Sequence, residues 1–432
     1  MTDFEHYAPP RTPEDTGLSR DFLINLVAKI MNVRGTMTPA QVSGIIKLPK
    51  LVVRVLVEEM VKLRLVESRG LVASEDIKSD IRYALTDRGK SWALEAMLVS
   101  QYVGPAPVTL EAFERQILRQ GISNERIHRA TLEGALSHLV LPTGIMPQLG
   151  PAVNSGRSIL LYGEPGNGKT SIAEALSETF KDTIYYPYAI EVDNQVIQFY
   201  DEPLHERQEG PDDASDPLDA RWVRCRRPVV LTGGELTLDM LDLSFEQTSR
   251  FYEAPMHLKA LGGVFVLDDF GRQRQKPQDF LNRWIVPLEK NFDIMSLHTG
   301  KKFRVPFDQL VIFSSNIPPH DLADEASLRR IYFKVRVPSP TREHYLEIFR
   351  RACNDENIPY DARVLERFYK DKYEALNLVP SGAHPGFLLR HIIAACIYLG
   401  REPEMSRDLL ELAWNNVAAS KRTEEVTRSW QL

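Results

Sequence analysis

Apolar residues recur at helical intervals near both ends of the chain and form short continuous runs between them. Over residues 21–31 they repeat every three or four positions, which predicts an amphipathic helix. Residues 1–19 are polar and contain prolines, which predicts a flexible tail. The same reading predicts, in order, a short helix over residues 38–47, a longer helix from 50 to about 65, a strand–turn–strand over residues 66–72 and a further helix from 81.

Helices followed by a short strand–turn–strand unit resemble a winged helix-turn-helix, which we assign to residues 20–100. The helix in the DNA-recognition position carries Lys50 and Arg54 among many apolar residues. Residues 1–100 contain 14 Lys/Arg and 13 Asp/Glu, whereas DNA-binding domains are usually clearly basic. A role in protein interaction or packing is therefore favoured, and DNA contact through this domain stays open.

The first apolar run in the middle of the chain, residues 159–162, predicts a buried strand that leads into a glycine-rich segment. The spacing of its glycines, lysine and threonine is that of a phosphate-binding loop, and helical periodicity follows. Backbone N–H groups of such a loop surround phosphate oxygens, the lysine contacts the β- and γ-phosphates, and the threonine hydroxyl binds Mg²⁺. ATP and Mg²⁺ are the predicted ligands, and the predicted binding residues are Gly163, Glu164, Pro165, Gly166, Asn167, Gly168, Lys169, Thr170 and Ser171.

Two further apolar runs end in polar side chains. Residues 263–267 lead into Asp268 and Asp269, and residues 309–313 lead to Asn316. Because parallel strands present their carboxyl ends at one edge of a sheet, these side chains are expected beside the phosphates. Asp268 is predicted to bind Mg²⁺ with Thr170, and Asp269 is predicted to polarise the attacking water.

Between the first two runs the sequence predicts an insertion over about residues 189–230. It follows a strand over residues 183–188 and begins with a hairpin around Asp193-Asn194. Residues 201–219 hold eight acids and one arginine and predict a solvated loop, and residues 221–227 form a basic strand. For this basic strand we favour a solvated face whose charges balance those of the acidic loop. A nucleic-acid site or an acidic partner is the less favoured alternative.

Composition adds few constraints. The chain has 432 residues, a net charge of −6 and 26% charged residues, so there is no global charge that would attract nucleic acid or membranes. Three scattered cysteines without metal-ligand spacing favour a reduced, cytoplasmic location. No apolar run predicts membrane insertion.

Taken together, the phosphate loop, the Asp-Asp strand, the strand ending in Asn316 and an Ala-x-Leu-Arg-Arg segment at residues 326–330 resemble the AAA+ ATPases. The resemblance implies an α/β P-loop NTPase core over residues 110–340 and a helical lid over residues 341–432. It implies that Asn316 positions the water, and that Arg329 or Arg330 acts as an arginine finger on a neighbouring subunit. It also implies a homo-oligomeric ring, with a hexamer expected.

The chain departs from the AAA+ pattern in two places. Asp269 stands where a glutamate is usual, so hydrolysis is expected to be slow or the water to be held differently. Gly386 stands where an arginine commonly follows a proline in the lid, and Arg390, one turn on, is the expected substitute. The insertion and the segment before the Asp-Asp strand are similar to the MoxR-like and enhancer-binding branches of the AAA+ family. In that segment, Phe251 and Tyr252 are either pore or substrate-contact aromatics or residues of the buried core.

Three functions follow as alternatives. The first is an ATPase that remodels or assembles a protein client whose identity the sequence does not give. The second is a DNA-associated ATPase or regulator that uses the winged helix. The third is an ATP-switched scaffold with weak hydrolysis, which the short Asp269 side chain suggests.

Overall fold

The structure is a computed structural model in which residues 8–71, 81–209 and 218–416 are described. Over these ranges the chain forms an N-terminal helical domain, an α/β core with a second sheet, and a C-terminal helical domain. None of the helices in these ranges is long and apolar enough to cross a membrane.

The N-terminal domain packs helices around a small two-stranded sheet. Side-chain oxygens of Ser19, Thr38 and Thr86 accept hydrogen bonds from backbone N–H groups in the first turn of the helix that each precedes, which fixes where these helices begin. The elements are α1 (Arg20–Arg34), α2 (Pro39–Ile46), α3 (Lys50–Lys62), β1 (Val66–Leu71), β2 (Ile81–Leu85) and α4 (Asp87–Val99).

Three sequence-based assignments in this region are wrong. Residues 66–71 form one strand, and residues 81–85 pair antiparallel with it instead of opening a helix. The cap at Thr86 delays the start of α4 to Asp87. The predicted tail is ordered over residues 8–19, where Thr16 and Leu18 are buried and the Thr16 carbonyl accepts a hydrogen bond from Arg221. Residues 1–7 and 72–80 lie outside the described ranges.

The middle of the chain supplies all remaining strands of the described residues. These are β3 (Val108–Thr109), β4 (Ile159–Tyr162), β5 (Thr183–Pro187), β6 (Ala189–Val192), β7 (Gln195–Gln198), β8 (Trp222–Arg226), β9 (Val229–Thr232), β10 (Ser244–Glu246), β11 (Phe251–Glu253), β12 (Val264–Leu267), β13 (Phe292–Ser296), β14 (Lys302–Pro306), β15 (Leu310–Ser315) and β16 (Phe333–Arg336). The helices are α5 (Leu110–Arg119), α6 (Arg129–Ala135), α7 (Met146–Asn154), α8 (Lys169–Ser177), α9 (Met256–Lys259), α10 (Pro277–Arg283), α11 (Ile285–Lys290), α12 (Pro319–Leu322) and α13 (Glu325–Leu328).

A five-stranded parallel sheet, ordered β16-β4-β15-β12-β9, forms the centre of the core. Alternate residues of β4 enter opposite layers: Ile159 and Leu161 pack with α7 and α8, and Leu160 packs on the side of Trp284. Apolar residues therefore cover both faces of the sheet, as expected for buried parallel strands. The predicted α/β P-loop core is confirmed.

A second sheet is ordered β10-β11-β7-β6-β3, and the predicted insertion supplies β6 and β7 of its strands. The predicted hairpin is confirmed as β6–β7, and Asp193 and Asn194 form its turn at φ values of 54° and 61°. The strand predicted at residues 183–188 exists as β5, but it pairs with β8 and not with the central sheet. The central sheet instead takes β9, which the sequence analysis missed.

The C-terminal domain is helical, as predicted. It contains α14 (Arg342–Asp355), α15 (Ala362–Tyr369), a π-helical turn over Lys370–Glu374, α16 (His384–Tyr398) and a helical segment over residues 407–416. Its core is rich in aromatic residues, and the Tyr373 ring contacts the rings of both Tyr345 and Trp414. Residues 417–432 lie outside the described ranges.

Candidate functional site

The glycine-rich segment joins β4 to α8 at the carboxyl edge of the central sheet. Gly163 has φ 147° and packs so tightly that a Cβ there would lie 2.2 Å from the carbonyl oxygen of Val337. Gly168 has φ 82° and immediately precedes α8. Both φ values favour glycine because side chains rarely adopt them, and at Gly163 a side chain would also clash with Val337.

Lys169 lies at the start of α8 with only 6% of its surface exposed. Its Nζ donates to the carbonyls of Gly163 and Glu164 at 2.9 Å and to Asn316 Oδ1 at 2.6 Å. Burial lowers the pKa of this ammonium group, and the nearby Asp268 carboxylate opposes that shift. The lysine is therefore held by carbonyl and amide oxygens inside the loop where a phosphate would bring negative charge.

Thr170 and Asp268 meet across the edge of the sheet. Thr170 Oγ1 donates to both carboxylate oxygens of Asp268, at 2.9 and 3.0 Å. A hydroxyl and a carboxylate are hard oxygen ligands that suit Mg²⁺, which usually takes one or two carboxylates and completes its shell with water and phosphate. The described residues contain no cluster of three or more His, Cys, Asp or Glu that could hold a metal ion on its own. The donor set fits a Mg²⁺ that arrives with a nucleotide.

Asp269 and Asn316 also meet. Asn316 Nδ2 donates to Asp269 Oδ1 at 3.0 Å, while Asn316 Oδ1 accepts from Lys169. The Asp269 side chain is exposed, and its backbone has φ 47°, a left-handed conformation that is uncommon for a residue with a side chain. One amide thus connects the loop lysine with the second carboxylate.

These groups line a cleft of about 670 Å³ between the core and the C-terminal domain. The residues that line it include six predicted site residues: Gly166, Lys169, Thr170, Asp268, Asp269 and Asn316. Residues 138–142, most of them apolar, also line the cleft, beside the α14 face of Ile348, Arg351, Ala352 and Asp355.

Arg390, the expected lid arginine, does not line this cleft. It is exposed on α16, its Nε donates to the Gly386 carbonyl at 3.2 Å, and its guanidinium lies over the Phe387 ring. Arg351 of α14 lines the cleft instead. Its Nη1 donates to the Ser137 carbonyl at 2.8 Å, so it ties the lid to the apolar end of the cleft. The sequence carried no motif for Arg351, because its contact comes from packing between distant segments.

The two candidate finger arginines have different surroundings. Arg330 is mostly buried; its Nε donates to Glu289 at 3.1 Å and its Nη1 to the Ala326 carbonyl at 2.7 Å. Arg329 is exposed and faces a second cleft that lies beside Gly163 and Glu164. Arg330 therefore packs with α13, whereas Arg329 stays exposed.

One other sequence interpretation needs correction, and one alternative that the sequence left open can be decided. The basic segment is only in part a solvated face: Arg226 is exposed and pairs with Glu206 of the acidic loop. Arg221 and Arg227 are instead buried and paired with Asp219 and Asp182. Tyr252 is also buried, with its hydroxyl bonded to the ring of His298. Phe251 packs edge-on against Tyr102, so core packing explains this aromatic pair better than a pore.

Comparison with known proteins gives limited similarity. A family described as a domain of unknown function (DUF8689) matches residues 341–416, which is the C-terminal helical domain. No curated protein matches the chain.

Solved structures with a similar fold are AAA+ P-loop ATPases. NtrX from Brucella abortus is 14% identical over 64% of this chain and 55% of its own, with a TM-score of 0.39; it has also been solved in complex with ADP. A RuvB mutant from Thermotoga maritima is 13% identical over 68% of this chain and 71% of its own, with a TM-score of 0.36. A chain of the BchI–BchD complex of magnesium chelatase is 18% identical over 66% of this chain and 95% of its own, with a TM-score of 0.36. The match spans only about half of NtrX, and scores this low carry no argument about function.

Proposed function

We propose that the protein is an AAA+ ATPase that binds ATP with Mg²⁺, hydrolyses it, and uses the cycle to remodel or assemble a protein client. The observation that carries the proposal is the continuous network Lys169–Asn316–Asp269, which lies beside the Thr170–Asp268 pair in one cleft. These groups come from three parallel strands that end at the same edge of the sheet. A structural role alone does not account for a buried lysine, an amide and two carboxylates converging on a glycine-rich loop.

Each group has a role in phosphoryl transfer. The backbone of the loop and Lys169 hold the phosphates, and Asp269 with Asn316 orients the attacking water. Mg²⁺, held by Thr170 and Asp268, would neutralise charge on the phosphate oxygens. The lid supplies Arg351 at the opposite end of the cleft, beside the apolar residues 139–142 that support the base.

Arg329 supports a subunit-dependent mechanism. An exposed arginine without a partner among the described residues can reach the nucleotide of a neighbouring subunit, where its planar group stabilises charge on the transferred phosphoryl group. We therefore propose a homo-oligomeric ring, with a hexamer expected.

The client is proposed to be a protein because the N-terminal domain offers little for DNA. The exposed positions of α3 include Leu51 and Glu58 beside Arg54, so an acid and an apolar residue share the surface that would face phosphates. A winged-helix adaptor for protein is the better use of such a surface. An ATP-switched scaffold is the second candidate, because Asp269 is short and already engaged by Asn316.

The test is the steady-state ATPase rate against protein concentration, with and without duplex DNA, for wild type, Lys169→Ala and the surface control Lys181→Ala. We expect a rate per subunit that rises with concentration, ignores DNA, is lost in Lys169→Ala and is retained in the control. Stimulation by DNA would favour the DNA-associated function. Tight ATP binding without turnover in the assembled protein would favour the scaffold.

A further inference from the structure

The phosphate loop contacts the lid through a side chain that the proposed chemistry does not use. Asn167 Oδ1 accepts a hydrogen bond from the Gly382 N–H at 3.1 Å, and Asn167 Nδ2 donates to Ser339 Oγ at 3.2 Å. Ser339 lies between β16 and α14, where the chain enters the lid, and Gly382 lies just before α16. One amide therefore joins the loop to two separate attachment points of the lid.

The backbone of the loop contacts the same lid segment. Ser381 Oγ donates to the carbonyls of Gly166 and Pro165 at 3.1 and 3.4 Å. A Cβ on Gly166 would lie 2.6 Å from Ser381 Oγ, and a Cβ on Gly382 would lie 3.1 Å from the Gly166 carbonyl oxygen. The two segments approach so closely that a shift of the loop must displace the lid segment or break these hydrogen bonds.

The chemistry of asparagine suits this bridge. Its amide offers an acceptor and donors on one planar group, so it can receive the Gly382 N–H and donate to Ser339 at the same time. The residue also lies between loop positions whose N–H groups would hold phosphate oxygens. Phosphate binding would fix the backbone on both sides of Asn167 and thereby the direction of its side chain.

We propose that Asn167 is a positioning residue that couples occupancy of the phosphate loop to the position of the lid. It acts through Gly382 and Ser339 and does not contact the reacting atoms. The coupling rests on the proposed nucleotide site, whereas the hydrogen bonds that carry it are made by the protein itself. Their loss should separate nucleotide binding from the response of the lid.

The experiment measures amide hydrogen exchange of the full chain over residues 378–386, with and without Mg²⁺–ADP, for wild type and Asn167→Ala. Asn282→Ala, an exposed asparagine on α10, is the matched control. ADP affinity is measured in parallel by equilibrium titration. We expect ADP to slow exchange of this lid segment in wild type and in the control. In Asn167→Ala, ADP added at a concentration that saturates the variant in this titration should leave lid exchange unchanged.

Without nucleotide, the Gly382 amide of Asn167→Ala should exchange about tenfold faster, because its acceptor is lost. Adding Ser339→Ala to Asn167→Ala should cause no further change in the ADP response, since Ser339 acts through Asn167. An ADP-dependent protection that survives in Asn167→Ala overturns the coupling. If wild type fails to bind ADP, the proposed function fails; the comparison without nucleotide then still decides whether Asn167 holds the lid segment, and unchanged Gly382 exchange overturns the inference.

Discussion

The two adjacent carboxylates after β12 have different partners, and this difference assigns them different tasks. Asp268 is half-buried and receives the Thr170 hydroxyl, whereas Asp269 is exposed and receives the Asn316 amide. The left-handed backbone at Asp269 turns consecutive side chains to different parts of the cleft. Such a conformation has an energetic cost, and strain of this kind concentrates at functional sites.

We expect Asp269→Asn to lower kcat for ATP hydrolysis about 100-fold or more, because an amide cannot take a proton from the attacking water. Nucleotide affinity should stay close to wild type, since the loop and Lys169 are intact. Asp279→Asn, an exposed change on α10, is the control. Steady-state kinetics and nucleotide titration together check this; unchanged turnover in Asp269→Asn would assign the water to another group.

Arg351 of α14 is predicted to contribute to nucleotide binding. It lines the cleft, as Arg390 does not, and its Nη1 donates to the Ser137 carbonyl. Arg351→Met should therefore raise KM for ATP about tenfold and change kcat little, because it removes binding that ground and transition states share. Arg350→Met is the matched control, since both arginines pair with Glu347 but Arg350 does not line the cleft. Loss of kcat with unchanged KM would contradict this role.

The two arginines that follow α13 have different surroundings, and we expect different consequences when each is replaced. Arg330 is tied to Glu289 and to the Ala326 carbonyl, so Arg330→Ala should lower the free energy of unfolding by about 1–2 kcal/mol. Arg329→Ala should change stability by less than about 0.5 kcal/mol and abolish the activity of the assembled protein. Urea unfolding and ATPase assays of the two variants give the comparison.

Mixing Lys169→Ala subunits with Arg329→Ala subunits tests whether Arg329 acts on a neighbouring subunit. A Lys169→Ala subunit retains Arg329, and an Arg329→Ala subunit retains its phosphate loop. If the arginine acts on a neighbour, the mixture should recover activity that neither variant has alone. No recovery at concentrations where wild type is assembled would exclude action between subunits.

In the N-terminal domain, the packing of α1 against α4 buries a lysine. Lys29 is 6% exposed, and its Nζ donates to the Ser100 carbonyl at 2.9 Å. Burial lowers the pKa of Lys29 from 10.5 to about 8. Between these two values the unfolded chain binds a proton that the native protein has released, so the stability of wild type rises with pH over that window.

Lys29→Met lacks this titration. The free energy of unfolding should exceed that of wild type by up to about 3 kcal/mol at pH 7, and the difference should shrink as pH rises from 8 towards 10. Urea unfolding at several pH values checks the trend. Lys62→Met, at the exposed end of α3, is the control for loss of a surface lysine. A difference from wild type that stays constant with pH for Lys29→Met would contradict the prediction.

The sequence predicted elements where local pattern and chemistry agree. β4, β12 and β15 are continuous apolar runs that end in the polar groups of the cleft, so strand and site were found together. β9 escaped notice because it lies at the sheet edge with Val229 and Leu231 exposed, and because about fifty residues of insertion separate it from α8. The β13–β14 hairpin was missed although its two strands are close in sequence. The contact of Arg351 depends on a distant segment, which periodicity does not report.

Across the described residues, the second sheet joins the N-terminal domain to the α/β core. Ala189 and Val196 of the second sheet belong to the N-terminal hydrophobic core, and the Gln101 N–H donates to the Ser249 carbonyl. Arg221 is the polar centre of this junction. Its buried guanidinium pairs with Asp219 and donates to the carbonyls of Thr16 and Pro107, so it links three separate segments.

Arg221→Met should loosen this junction without unfolding the core. Removing the guanidinium leaves Asp219 as an unpaired buried charge, which typically costs about 3–5 kcal/mol. Hydrogen exchange should therefore speed up over residues 8–20 and 101–109, while the amides of β4 and β12 stay protected. Arg226→Met, which affects an exposed pair with Glu206, should change neither region.

Combining Arg221→Met with Asp219→Leu tests the cause. If the unpaired charge loosens the junction, the double variant should recover much of the protection, because apolar groups of similar size can replace a buried ion pair. If instead the hydrogen bonds to Thr16 and Pro107 hold the segments, both variants should exchange equally fast. In either case the ATPase rate of the loosened protein reports whether the N-terminal domain influences the cleft through the second sheet, since these variants leave every group of the cleft in place.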